Sequence, residues 1–241
     1  MVRYQDDLIP VMTHRILTFI VACLLINIAH SQQNTRLRKK DRRRDVEMIT
    51  TQGTIVLRLS DSTPLHRDNF LKLVKTRFYD SVLFHRVIAN FMIQGGDPNS
   101  KTISTDEPVG GGGPGYKVPA EFRASLFHKK GVLAAARNDN PAKESSGSQF
   151  YIVQGKKFTD AGLDSVEINR LGGRKLPPAH REIYKTLGGV PHLDQNYTVY
   201  GEVVGGLEVV DLIAAQPTLS DPPNRPQVDI RILKARLIKR R

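Results

Sequence analysis

Alternating apolar and polar residues along most of the chain predict a protein built mainly from short β-strands. Residues 46–51 and 54–59 alternate on either side of a Gln52-Gly53 turn, which predicts a hairpin with one buried face. Further short apolar runs predict strands at residues 82–88, 131–136, 149–153, 198–204 and 227–238. Because these strands do not alternate with helices, the pattern favours a closed or nearly closed antiparallel barrel.

Three segments have the spacing and boundary residues of helices. Ser62 or Thr63 can cap a helix that carries Pro64 in its first turn and an apolar stripe beyond it. Residues 178–187 and 207–214 predict two further short helices. The predicted fold class is therefore mainly β with few helices.

The N-terminus carries an apolar run at residues 16–28, directly after a His-Arg pair. This run is shorter than the roughly 20 residues that a membrane-spanning helix needs, and it is typical of the central region of a signal peptide. Small residues at Ala29 and Ser31 permit cleavage after Ser31. We therefore expect residues 1–31 to be a signal peptide and the protein to be exported to the periplasm or envelope.

Two alternatives stay open for this leader. The tetrapeptide that ends at Cys23 resembles a lipidation signal, so a leader retained or lipidated at Cys23 would tether the protein to the membrane. Against lipidation, mostly apolar residues follow the cysteine. Met12 rather than Met1 can be the true start, because it gives a cleaner basic segment before the apolar run.

Composition and charge narrow the class of protein. The 241 residues suit one domain or at most two, and 39% hydrophobic with 25% charged residues argues against a polytopic membrane protein. The net charge of +12 is concentrated at residues 36–45 and 231–241. We interpret residues 32–45 as a solvated basic linker, and both basic ends are compatible with peripheral contact to an anionic membrane. We expect no nucleic-acid partner, because the body of the chain is close to neutral.

The sequence offers little support for cofactor, metal or nucleophile chemistry. The glycine run at 110–113 lacks the Lys-Ser/Thr ending of a phosphate loop, so a tight turn is the better interpretation. A single cysteine and scattered histidines argue against a catalytic metal. The serines at 145–148 do not form a nucleophile elbow. We expect no cofactor and no metal.

One segment stands apart from the rest of the chain. Residues 84–97 read FHRVIANFMIQGGD, and they place Arg86 between apolar neighbours. A buried arginine requires partners, so a salt-bridged structural arginine is the alternative to a functional one. The segment resembles the signature of the cyclophilin-type peptidyl-prolyl isomerases, which reads FHRxIxxFxxQGGD.

Further matches follow in the order of that family. They are GGPGY at 112–116, GVLAAA at 131–136, GSQFYI at 147–152, HLD at 192–194 and VYGEV at 199–203. The resemblance covers roughly residues 46–239. It implies an eight-stranded antiparallel barrel capped by two helices, with an isomerase domain at 46–241. An insertion at about 154–191 carries a further short helix. We expect this insertion to shape substrate entry, the alternative being a surface insertion without function.

The resemblance also implies roles for individual residues. Arg86 would be the catalytic residue and would stabilise the twisted Xaa-Pro amide. Substrate-binding roles fall on His85, Phe91, Met92, Gln94, Ala136, Arg137, Gln149, Tyr151, His192, Leu193 and Tyr197. Three of these depart from the commonest family pattern, namely Tyr151 in place of Phe, His192 in place of Trp, and Tyr197 in place of His.

The leader and the resemblance together predict an exported isomerase that assists folding by acting on proline-containing segments of client proteins, and we expect it to be a monomer. The alternative is a non-catalytic chaperone that binds proline-containing peptides and uses the insertion for affinity.

Overall fold

Eight antiparallel strands form one curled sheet in the part of the chain that the structure, a computed structural model, describes: residues 36–102, 109–221 and 224–240. In chain order the ten strands are β1 Arg44–Thr50, β2 Gly53–Leu59, β3 Arg86–Ile88, β4 Met92–Gly95, β5 Lys117–Val118, β6 Val132–Ala135, β7 Ser145–Ser146, β8 Phe150–Val153, β9 Val199–Gly205 and β10 Ile232–Lys239. The sheet has the order β10-β1-β2-β9-β6-β8-β4-β3, and β5 pairs separately with β7. The predicted fold class is confirmed.

Backbone hydrogen bonds join the two ends of this sheet. The N–H of Ser81 donates to the carbonyl of Ile232 at 2.7 Å, and the N–H of Phe84 donates to the carbonyl of Ile230 at 2.9 Å. The predicted strand at 82–88 is therefore only partly regular, because its first half bonds to the segment that leads into β10. The sequence pattern missed β4, which has only four residues. β3 and β4 form a hairpin that turns at Asn90, whose φ of 62° suits an asparagine.

The interior of the curled sheet is filled by the inward side chains of alternate strand residues. Val46, Met48, Ile55 and Leu57 are fully buried there, together with aromatic residues that include Phe150. This alternation is the period-2 pattern of the sequence.

Four helices occur among the described residues: α1 Pro64–Lys75, α2 Asp160–Asn169, α3 Pro178–Thr186 and α4 Leu207–Ala214. α1 packs on β9 and β10, and α4 packs on β2, β3 and β4, as expected of two capping helices. None of the helices in these described segments is both long enough and apolar enough to span a bilayer.

The insertion contains α2 as well as the predicted α3. The sequence pattern missed α2 because its only buried apolar side chain is Leu163, which leaves no apolar stripe. The one local signal was Thr159, whose hydroxyl accepts a hydrogen bond from the N–H of Gly162 at 3.1 Å and caps the helix.

The basic N-terminal segment is not wholly solvated, which corrects our interpretation of residues 32–45. β1 begins at Arg44, and Asp41 and Asp45 are buried. Lys75 pairs with Asp41 at 3.1 Å, and Arg58 pairs with Asp45 at 2.8 Å. Asp41 therefore fastens this segment to α1, and Asp45 fastens it to β2. The predicted signal peptide, Cys23 and residues 32–35 lie outside the described residues.

β1 pairs with β10, so the two basic ends of the chain are neighbours in the fold. Arg44 lies opposite Lys239 in the register of this pair. The sequence placed these two groups of positive charge almost 200 positions apart, and only the strand pairing brings them to one edge of the sheet.

Candidate active site

The β3–β4 hairpin places the central residues of the site in one row across three strands. Arg86 lies opposite Gln94, and Gln94 lies opposite Tyr151 in β8. Ile93, between Met92 and Gln94, points into the barrel interior. Because side chains alternate along a strand, Met92 and Gln94 then share the opposite face.

A chain of hydrogen bonds fixes the guanidinium of Arg86. Its Nη1 donates to Oε1 of Gln94 at 3.2 Å, and Nε2 of Gln94 donates to Oε1 of Gln149 at 3.2 Å. Nε2 of Gln149 then donates to the carbonyls of Gly110 and Gly112 at 2.9 and 2.8 Å. Each amide has one acceptor and one donor end, so this arrangement defines the orientation of both glutamines.

The glycine run is held in place by a buried carboxylate. Oδ2 of Asp97 accepts from the N–H groups of Gly110 and Gly112 at 2.6 and 3.1 Å. A Cβ at Gly112 would collide with Asp97, and Gly110 has a φ of 109°. Both positions therefore require glycine, and the loop serves to present its carbonyls to Gln149.

A small pocket of about 110 Å³ opens beside Arg86. It is lined by Arg86, Phe91, Met92, Gln94, Ala136, Arg137, Tyr151, Leu193 and Tyr197. All nine were predicted from the sequence as site residues, and the structure brings them together. Phe91, Met92 and Leu193 give this pocket apolar surface, and polar groups such as those of Arg86 and Gln94 lie beside it. The pocket therefore suits a small apolar ring beside a polar amide.

A larger groove of about 640 Å³ adjoins this pocket and shares Gln94, Ala136 and Arg137 with it. Gln149 and the glycine run line the groove. Sequence reasoning missed its remaining lining residues, which are Gly115, Tyr116, Lys117, Asn138, Glu144 and Ser146. They come from β5, β7 and the adjoining loops, and no local pattern indicates that these segments meet.

Arg86 is half-buried, and burial lowers its pKa from the ordinary value. The guanidinium remains charged at neutral pH, since even a lowered arginine pKa stays far above 7. Among the described residues its hydrogen-bond partner is Gln94. A guanidinium has five N–H groups, so several donors remain to face the pocket.

The opposite wall is stiffened by Arg137. Its guanidinium lies over the ring of Tyr197 at 4.7 Å and donates to the backbone and side-chain oxygens of Asn196 at 3.2 and 3.0 Å. The contact combines cation–π attraction with hydrogen bonds. Arg137 therefore holds the ring of Tyr197 in its position in the pocket wall.

Two predicted site residues do not line either cavity. His85 is buried against Gly110, and burial lowers its pKa to about 4. His192 stacks on Phe91 with ring centroids 5.8 Å apart, and burial lowers its pKa to about 4. Both histidines are therefore neutral at pH 7, and they lie behind the pocket walls.

Behind the pocket, Tyr151 joins three buried residues that sequence reasoning did not assign to the site, namely His128, Tyr184 and Asp194. The hydroxyl of Tyr151 lies 2.9 Å from Nε2 of His128, and Nδ1 of His128 lies 3.0 Å from Oδ1 of Asp194. The hydroxyl of Tyr184, in α3 of the insertion, donates to Oδ2 of Asp194 at 2.7 Å. We call these four residues the pocket-side network. In the described segments no cluster of three His, Cys, Asp or Glu side chains is arranged to hold a metal.

Comparison with known proteins identifies relatives of the chain. Residues 45–237 match the family model of "Cyclophilin type peptidyl-prolyl cis-trans isomerase/CLD". A putative peptidyl-prolyl cis-trans isomerase of Staphylococcus aureus is 33% identical over 77% of this chain and 87% of its own length. A putative bifunctional phosphatase/peptidyl-prolyl cis-trans isomerase of Streptococcus pyogenes is 37% identical over 77% of this chain, which spans only 37% of that protein.

A solved structure has the same fold. The crystal structure of a Cryptosporidium parvum cyclophilin type peptidyl-prolyl cis-trans isomerase aligns with a TM-score of 0.61 over 82% of this chain and 99% of its own. The sequence identity is 23%, so this likeness concerns the fold.

Proposed function

The chain belongs to the cyclophilin-type peptidyl-prolyl cis-trans isomerase family, and on that premise we propose that it isomerises Xaa-Pro bonds of exported proteins with Arg86 as the catalytic residue. The observation that carries this proposal is the half-buried guanidinium of Arg86, held by Gln94 beside a small pocket that Phe91, Met92 and Leu193 also line. The proline ring would enter that pocket between Phe91, Met92 and Leu193.

Such a site has to lower the barrier to rotation about one bond. Rotation about the Xaa-Pro bond faces a barrier of about 18–20 kcal/mol, because the bond has partial double-bond character. In the twisted state the prolyl nitrogen becomes pyramidal and accepts a hydrogen bond, which the planar amide nitrogen does not. A donor that reaches this nitrogen therefore binds the twisted state more strongly than the planar one. Each tenfold acceleration corresponds to about 1.4 kcal/mol.

The geometry supports this assignment in two ways. The guanidinium is positioned in advance by Gln94, so little reorganisation is needed as the amide twists. A proline ring seated against Phe91, Met92 and Leu193 would displace water from these side chains, which removes solvent that favours the planar, more polar amide. Neither feature needs a metal, a nucleophile or a proton transfer.

Cis–trans exchange of an Ala-Pro peptide, measured by NMR exchange spectroscopy with the full-length protein, tests the proposal. We expect acceleration by the wild type and a loss of about a hundredfold in Arg86→Ala, since removing one preorganised donor costs roughly that much. Arg43→Ala, which removes an exposed arginine outside the pocket, is the control for charge and should leave the rate unchanged.

A non-catalytic chaperone is the alternative function, and the same experiment distinguishes it. Binding of the peptide by a folded wild type without acceleration would contradict the enzyme and favour the chaperone. Export rests on the apolar run at residues 16–28. Fractionation of cells that produce the protein tests export, and recovery of the whole chain from the cytoplasm would contradict it.

A further inference from the structure

The insertion has a small core of its own, which packs against the barrel. Leu163, Leu176 and Tyr184 are buried there together with Phe127, which lies in the loop between β5 and β6. The rings of Tyr184 and Phe127 pack edge to face with centroids 5.5 Å apart. Tyr184 has no exposed surface and is held within this core.

Ion pairs hold the two insertion helices together. Arg181 of α3 pairs with Glu167 at 2.9 Å and with Asp164 at 3.0 Å, both in α2. Hydrogen bonds from Lys175 and from the N–H of Leu176 lower the pKa of Glu167 to about 2. The insertion is therefore a packed unit rather than an open loop.

The two ends of the insertion are hydrogen-bonded to each other, and its C-terminal end is hydrogen-bonded to His128. Gly189 and Lys156 exchange backbone hydrogen bonds at 3.0 and 3.3 Å, and the N–H of Val190 donates to the carbonyl of His128 at 2.8 Å. A Cβ at Gly189 would collide with the carbonyl of His128. Glycine at this position therefore permits the close approach of the insertion to His128.

The hydrogen bonds of the pocket-side network converge on Asp194. Oδ1 of Asp194 accepts from the backbone N–H of His128 at 2.8 Å and from its Nδ1 at 3.0 Å. A carboxylate only accepts, so Nδ1 of His128 carries the proton and Nε2 is left as an acceptor. The hydroxyl of Tyr151 therefore donates to Nε2. Burial raises the pKa values of Tyr151 and Tyr184, so both hydroxyls keep the protons that they donate.

Two pocket walls depend on the same carboxylate. The ring of Tyr151 lines the pocket while its hydroxyl is bonded behind the wall. Leu193, a second lining residue, directly precedes Asp194 in the chain. Asp194 thus holds Leu193 through the backbone and Tyr151 through His128, and the hydroxyl of Tyr184 holds Asp194.

We propose that the insertion is part of the substrate site, because Tyr184 positions Tyr151 and Leu193 through Asp194 and His128 and thereby sets the affinity for proline-containing peptides. The inference rests on the proposed function and deepens it. Tyr184, Asp194 and His128 are positioning residues, since none of them lines the pocket. Tyr151 supplies a hydroxyl at a position where a phenylalanine could not join the network.

A double-mutant cycle in the full-length protein tests the proposal. Tyr184→Phe and Tyr151→Phe each remove one hydroxyl and keep the ring. We expect each variant to bind an Ala-Pro peptide about threefold or more weakly in an NMR titration. The double variant should bind no more weakly than the weaker single variant, because either change breaks the same network. In Tyr184→Phe the exchange rate of the bound peptide should change by less than about twofold, since Arg86, Gln94 and the residues that line the pocket are unaltered.

Glu167→Gln is the matched control, because it weakens the packing of the insertion without touching Asp194. It should lower the melting temperature at least as much as Tyr184→Phe and leave peptide affinity unchanged. The ring nitrogens of His128, observed by NMR, should show the proton on Nδ1 in the wild type and a shift in Tyr184→Phe.

Three outcomes would overturn the proposal. Tyr184→Phe could bind the peptide as tightly as the wild type, or the double variant could lose affinity by the product of the two single losses. Glu167→Gln could also lose as much affinity as Tyr184→Phe. Failure of the proposed function is separate, because it appears as a wild type that does not accelerate exchange. A wild type that loses acceleration in Arg86→Ala but shows no coupling between Tyr184 and Tyr151 would reject the network and retain the enzyme.

Discussion

Two buried histidines in this protein are each bonded to a carboxylate in the same way, but they hold different parts of the molecule. His66 directs its backbone N–H and its Nδ1 to Glu121 at 2.9 and 2.8 Å, as His128 does to Asp194. Nε2 of His66 lies 2.9 Å from the hydroxyl of Ser145. We call His66, Glu121 and Ser145 the helix-side network, because His66 lies in the first turn of α1.

The helix-side network serves to cap α1. The side chain of Thr63, at the N-cap position, makes no capping hydrogen bond. Glu121 instead accepts from the N–H groups of Leu65 and His66 at 3.2 and 2.9 Å. A carboxylate from a distant loop therefore satisfies donors that a helix start leaves unpaired, and its charge also suits that end of the helix.

The order Ser145–His66–Glu121 matches that of a hydrolase triad, but its setting does not. The three residues are 1%, 3% and 6% exposed, and Ser145 lines neither the pocket nor the groove. A nucleophile needs access to a substrate. The difference between the two networks therefore lies in what the far histidine nitrogen reaches, a buried serine in one case and a pocket wall in the other.

The largest expected effect comes from removing the carboxylates. Glu121→Ala and Asp194→Ala should each lower the free energy of unfolding by about 4 kcal/mol, because several buried donors lose their acceptor. Only Asp194→Ala should also weaken binding of an Ala-Pro peptide. Urea unfolding and an NMR titration measure the two quantities. Equal loss of affinity in both variants would show that the two networks do not differ in function.

The pH dependence of the free energy of unfolding tests the helix-side network next. Burial lowers the pKa of His66 below 6.5, although Glu121 acts to raise it, and burial lowers the pKa of His85 to about 4. The unfolded chain then binds more protons, so stability is complete above pH 6.5 and declines as the pH falls towards 4. The His85 shift alone corresponds to about 3 kcal/mol.

The contribution of His66 to this decline is measured by repeating urea unfolding at several pH values with His66→Gln. The variant should be less stable than the wild type at pH 8 but should lose less stability on acidification. A decline as steep as that of the wild type would contradict the assignment to His66.

The terminal hydroxyls give a smaller, matched comparison. Ser145→Ala and Tyr151→Phe each leave Nε2 of a buried histidine without its partner, so each should lower the free energy of unfolding by about 1.5 kcal/mol. Tyr151→Phe should reduce peptide affinity and Ser145→Ala should not. Thermal unfolding with a parallel titration measures both, and a change in affinity of the same size in Ser145→Ala would remove the distinction.

The smallest effect is expected for Lys129, which follows His128 in the chain. Lys129 forms a partly exposed ion pair with Glu202 at 3.0 Å. Such pairs contribute little, so Lys129→Ala should change the free energy of unfolding by less than about 0.5 kcal/mol and leave peptide affinity unaltered. A larger change in affinity would show that the position of His128 depends on more than Asp194.

The sequence by itself determined the strand-rich class and the segments that form the two capping helices, and its resemblance to a known family indicated the nine residues that line the pocket. Period-2 alternation records which side chains of a strand are buried, so the main strands of the barrel were recognisable. Arg86 was noticeable because a charged residue between apolar neighbours is costly without a partner. The sequence pattern did not predict the short strand β4 or the helix α2, because neither has enough apolar residues to show a period.

Tertiary structure decided the contacts between segments that are distant in the chain. Pairing of β1 with β10 joined the two basic ends, and buried Asp41 and Asp45 turned part of the basic linker into folded structure. The pocket-side network joins residues 128, 151, 184 and 194, which come from four separate segments. Local periodicity carries information about burial but none about which buried donor meets which acceptor, and that choice is made only when the segments pack together.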